Sequence, residues 1–163
     1  MLKEHAKVML LIQEAGEVVG RKKLQKMVYI SKKFKFGFQE KFRFHFYGPY
    51  SEELTLQVEE LIHLGFVDEK REKKGGYTQY TYTLSDKGKE YLQLYPARLE
   101  GYRDFVHKLN NESSRFLELV STVLYFDHLS QAELVEKVLH VKNKQNYSEE
   151  EVAQALQFIT DLQ

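Results

Sequence analysis

Between Lys41 and Tyr47 the chain alternates strictly: Phe42, Phe44 and Phe46 fall on one side, Arg43, His45 and Tyr47 on the other. That is the period-2 signature of a strand with one apolar face. Gly48-Pro49 predicts a break after it, because proline lacks the N–H that a ladder uses and fixes φ for a turn. The period then changes. Leu54, Val58, Leu61 and Ile62 recur at helical spacing and define one buried stripe. Ser51 is the expected N-cap, and Glu52 and Glu53 stand in the first turn, where the helix dipole favours anions. Gly65 supplies a left-handed residue to end the helix, and Phe66-Val67 enters the next strand. This helix reads as a packed centrepiece.

The same reading extends to both ends. A first helix is expected over Leu2–Glu14, with Ala6, Met9, Leu10 and either Gln13 or Ile12 near its inner side, ending at Gly16. Val18-Val19 suits a very short strand. A second helix, 21–34, should bury Leu24, Met27, Val28 and Ser31 and carry Lys22, Lys26, Tyr29 and Lys33 on its outer side. Residues 66–84 read as a hairpin turning at Gly75-Gly76, with Tyr80, Tyr82 and Leu84 on one face. Ser85 caps a helix to Leu94, and Pro96 closes the segment. Helices are expected at 97–109, 113–126, 131–139 and 149–162, with capping boxes at Ser130/Glu133 and Ser148/Glu151 and a polar loop over 141–147.

The class is therefore mainly α with a small β component. Helix, helix, helix, hairpin, helix is the order of a winged helix-turn-helix, here with a Phe-rich strand inserted between helices two and three. Residues 1–95 make that domain and 96–163 a helical extension. With 42% hydrophobic residues, the chain can bury one sizeable core or a core plus a smaller lobe. Basic and acidic residues balance at 24 each, but unevenly. Residues 1–50 hold eleven Lys or Arg against four Glu, whereas residues 111–163 hold four against nine acids. Opposite poles suggest an anionic ligand or head-to-tail contact between chains, and a homodimer is expected on that ground. The longest apolar run near the start, Val8–Ile12, is too short for a signal or a membrane span, so a cytoplasmic location without membrane contact is expected.

Chemistry is sparse. The chain has no cysteine, which excludes disulfides and thiolate sites. His5, His45, His63, His107, His128 and His140 show no paired spacing for a metal, and no phosphate-binding loop or nucleophile elbow is present. The expectation is no enzyme, no metal and no cofactor.

The leading expectation is a DNA-binding, regulator-like protein that contacts duplex DNA at phosphates through Arg21, Lys22, Lys26 and Lys33 on helix two and Lys70, Arg71, Lys73 and Lys74 on the wing. The third helix argues against base readout, since Glu52, Glu53, Glu59 and Glu60 would face a polyanion without one Lys or Arg. The alternative is a protein partner docked on Tyr47, Gly48, Pro49 and Tyr50, in line with the enrichment of tyrosine at interface cores. Tyr29, Tyr77 and Tyr80 are further candidates for such a surface.

Gly20-Arg21-Lys22-Lys23-Leu24-Gln25-Lys26-Met27-Val28-Tyr29, then Phe46-Tyr47-Gly48-Pro49-Tyr50-Ser51-x-x-Leu54 and Leu61-x-x-x-Gly65, resemble the YwgA family of Firmicutes, small cytoplasmic proteins. The resemblance runs over about the first hundred residues; it implies a fold and a non-enzymatic role, and carries no catalytic residue with it. Leu24-Gln25-Lys26-x-x-Tyr29 followed by Tyr47-Gly48-Pro49 is more loosely similar to the SocA-like (Panacea) antitoxin domain, whose members neutralise toxins or act as adaptors delivering proteins to proteolysis. After Pro49 the chain departs from that domain, with Tyr50-Ser51 in place of an apolar continuation.

Overall fold

The computed structural model describes residues 2–163. Helix α1 (Leu2–Ala15), strand β1 (Val18–Val19) and helix α2 (Arg21–Lys33) come first. A two-stranded ribbon, β2 (Arg43–His45) and β3 (Gly48–Tyr50), leads into α3 (Glu52–His63). A long hairpin follows, β4 (Val67–Lys74) and β5 (Tyr77–Leu84), and then α4 (Asp86–Leu94). The remainder is helical: α5 (Tyr102–Asn110), α6 (Ser114–Tyr125), α7 (Gln131–Val141), a 3-10 turn at Asn143–Gln145, and α8 (Glu149–Leu162). The molecule is mainly helical with a small antiparallel sheet, as its periodicity predicts.

Local chemistry sets most boundaries. Ser51, Ser85 and Ser148 each accept a backbone N–H three residues on, and at Ser148 the Glu151 carboxylate closes the full capping box. Gly65 ends α3 at φ +80°. In the three-stranded sheet the order is β1-β5-β4, with Val18 opposite Tyr82 and Lys74 opposite Tyr77. That register leaves Gly75-Gly76 as a two-residue turn, and Gly75 takes the positive φ that such a turn demands.

Three expectations need correction. Gly48-Pro49 does not end the strand; the turn falls at Phe46-Tyr47, and Gly48–Tyr50 pairs back on β2 with Phe44 opposite Pro49. Proline is tolerated because a two-stranded ribbon has outer edges that need no donor. The helix expected from Ala97 begins only at Tyr102, because Gly101 sits in the left-handed region at φ +73° and starts it afresh. Most consequentially, Lys26 and Tyr29 do not lie on an outer side of α2. Every residue from Leu24 to Ser31 is buried, because α6 lies along that face and the ribbon covers what remains.

The apolar core is continuous around α2. Met27, Val28 and Ile30 are fully enclosed, as are Leu117, Leu119 and Val120 of α6 and Val8, Leu11 and Ile12 of α1. Each such side chain contributes about 1.5–3 kcal/mol by leaving water. In α3 the expected stripe is present: Leu54, Val58 and Leu61 are buried and Ile62 packs at their margin. Among the described residues no helix is long and apolar enough to cross a membrane.

Candidate functional site

The ribbon that bears Tyr47, Gly48, Pro49 and Tyr50 is held from beneath by polar side chains that come from distant parts of the chain. Gln25 on α2 donates to the Ser51 carbonyl and accepts the Ser51 N–H, each at 2.9 Å, so its amide acts as a one-residue strand. Lys26, next along α2, donates to the Pro49 carbonyl at 2.7 Å. Lys142, just past α7, donates to the Phe46 carbonyl at 2.9 Å. Between them stands Glu118 of α6, whose carboxylate lies 3.2 Å from the Lys142 ammonium. Both lysines are 1% exposed and Glu118 8%, so two cations and one anion are buried under the ribbon. Buried charges are tolerated only when paired and hydrogen-bonded, and here each ammonium donates to one ribbon carbonyl while Glu118 supplies the counter-charge.

Gly48 permits this approach. A Cβ there would lie 3.4 Å from Thr122 Oγ1, 3.5 Å from Glu118 and 3.7 Å from the Lys26 ammonium, and its φ of +87° is one that side chains rarely adopt. The tip points the other way. Phe46 is 61% and Tyr47 46% exposed, in edge-to-face contact at 5.0 Å. Farther along, the Tyr50 hydroxyl hydrogen-bonds Thr55 at 2.8 Å and ties the ribbon to α3.

Burial lowers the Lys26 pKa from 10.5 to about 8; Glu118 opposes the shift, whereas Lys142 and Lys22 add to it. Because the folded value is the lower one, the folded state sheds its proton first and stability rises between about pH 8 and 10.5. Compared with Lys26→Met, the wild type should gain about 2 kcal/mol between pH 7 and 9.5, read by urea unfolding at each pH. The interval stops there because Tyr29, Tyr82, Tyr102 and Tyr147 are held protonated above their usual range by burial. They cost stability as pH passes 10.

The other basic residues are mostly engaged. Lys23 donates to the Asn110 carbonyl and Lys33 pairs with Asp127 at 3.1 Å. Arg21 lies 3.7 Å over the Tyr80 ring and 3.7 Å from Glu69, and Lys22 lies 3.3 Å over the Tyr47 ring. On the hairpin, Arg71 pairs with Glu69, and Lys70 and Lys74 both pair with Glu72. Lys70, Arg71, Lys73 and Lys74 are exposed there, on a different element from the ribbon. Tyr77 is exposed at the hairpin turn, whereas Tyr29 packs against Phe42 in the interior.

Glu118 and Lys142 stand in no motif of the sequence, and Gln25 stands within Leu24-Gln25-Lys26-x-x-Tyr29 without a role of its own. Glu118 carried a signal nonetheless, as the one carboxylate of α6, set between Leu117 and Leu119 on its apolar stretch.

No protein-family model matches the chain. It is similar to the uncharacterized protein YwgA of Bacillus subtilis (strain 168), at 56% identity over 162 residues, covering 99% of this chain and 98% of that protein.

Proposed function

The chain belongs to the YwgA family of small Firmicutes proteins, and from its ribbon we propose a protein-binding, adaptor-like module on a winged helix-turn-helix scaffold, with Phe46–Tyr50 as its docking element. The order α1, β1, α2, α3, β4, β5 and the sheet order β1-β5-β4 support the scaffold. The observation that carries the function is the ribbon: two exposed aromatics on a tip whose backbone is fixed by buried lysines. A rigid aromatic anchor loses little entropy on binding, which is why such residues dominate interface energetics.

Charge supports the same reading. Lys26 faces inward, Lys33 has its own counterion, and α3 turns Glu52, Glu53, Glu59 and Glu60 to solvent. An element lined with carboxylates repels phosphates. Affinity capture from the native host, compared between wild type and Phe46→Ser/Tyr47→Ser, tests the proposal. A specific partner should be retained by the wild type and lost by about 2 kcal/mol or more in the double variant. A partner bound equally by both would refute it.

A second reading, duplex DNA held at phosphates by the wing, is favoured by the four exposed cations between Lys70 and Lys74. Anisotropy of a labelled random duplex tests it: binding that falls steeply with salt, and is lost when those four become Ala, would favour it over the ribbon.

A further inference from the structure

The ribbon has a second role at its edge, because Tyr47 and Tyr50 close a cleft of about 330 Å³ between α2 and α3. That volume is near the lower end of small-molecule sites, about 300–1,000 Å³, and suits a ligand with one ring-sized group. Its apolar lining comes from Leu24, Leu54, Val58 and Ile62.

Five charged residues also line it: Arg21, Lys22 and Lys26, with Glu59 and Glu69. Glu69 is occupied, accepting the Tyr82 hydroxyl at 2.8 Å and pairing with Arg71 and Arg21. Lys26 spends one of its three donors on Pro49. Lys22 rests on a tyrosine face and forms no ion pair among the described residues. The lining is thus one positive charge in excess, and its most available group is an ammonium at the mouth. A cationic ligand would meet that excess of positive charge, and Lys22 already covers the Tyr47 ring at the cleft's edge. A dianion would be opposed by Glu59.

We infer that this cleft binds a small organic monoanion: a carboxylate carrying one aromatic or branched-alkyl group, with the carboxylate against Lys22 and the apolar group against Leu54, Val58 and Ile62. The site stands on the cleft alone and does not require the protein-binding role of the ribbon tip.

Calorimetric titration of the full chain tests it, with 3-phenylpropionate and 4-methylpentanoate as probes and their primary amides and amines as matched controls. At least one acid should bind, its amide about tenfold more weakly for want of a charge-assisted contact, and the amines more weakly still. Lys22→Glu, at an exposed position, should abolish binding without lowering the melting temperature, and Ile62→Trp should do so by filling the space. Equal binding of acid and amide, preference for an amine, or no binding by either acid would overturn the inference. So would binding seen only with a peptide ending in a free Phe carboxylate, which would make the occupant a chain terminus.

Discussion

Replacing Glu118 with Leu should destabilise the fold by about 3–5 kcal/mol, the range for removing one partner of a buried ion pair. The carboxylate sits 3.2 Å from Lys142 and contributes to the field at Lys26, and both ammonium groups are shut off from water. Without it two cations remain buried with only ribbon carbonyls for company. Adding Lys142→Met to Glu118→Leu should recover much of the loss, because an apolar pair of similar volume leaves a single hydrogen-bonded lysine to accommodate. Urea denaturation of the two single variants and the double gives the coupling directly. Additive losses would mean that the pair is not coupled. The ribbon should suffer with it, since Lys142 is what grips the Phe46 carbonyl.

A loss of about 2–3 kcal/mol is expected for Gly88→Ala, opposite in sign to intrinsic helix propensity, which favours Ala by about 1 kcal/mol. Gly88 lies in the first turn of α4, and a Cβ there would stand 2.3 Å from the Phe66 carbonyl oxygen and 2.9 Å from Leu84 Cγ. The carbonyl cannot retreat freely, as it also accepts the Ser85 N–H at 3.0 Å. Gly76→Ala is the control: a Cβ there meets nothing within 4 Å, so the change should stay within about 0.5 kcal/mol. Thermal or chemical unfolding of the two variants separates close approach from a general glycine effect.

These two sites mark where the sequence was legible and where it was not. Signals that act within one turn could be read directly: Ser51, Ser85 and Ser148 cap their helices, and Gly75-Gly76 closes the hairpin. Long-range cover could not. Lys22, Lys26 and Lys33 share a helical spacing that looks like one solvated face, yet α6, some ninety residues later in the chain, lies over its middle and buries Lys26 alone of the three. The period of α2 cannot report this, because a helix enclosed on most sides keeps its apolar stripe while its polar residues find partners elsewhere. The ribbon turn moved for a similar reason. Proline rules out a central strand but not the edge of a two-stranded ribbon, and the carbonyls of Phe46 and Pro49 are held by lysines no local pattern could pair with them. The oppositely charged parts of the chain also meet within it, where Lys33 of α2 pairs with Asp127 beyond α6.

On the reading proposed above, the ribbon tip rather than the basic wing is the working surface. A photo-crosslinking amino acid placed at Tyr47, and separately at Lys73, in the native host tests it most directly. Discrete protein adducts are expected from position 47 that vanish with Phe46→Ser, and none with nucleic acid from position 73. Nucleic-acid adducts from position 73, with position 47 silent, would contradict it and return the function to the wing.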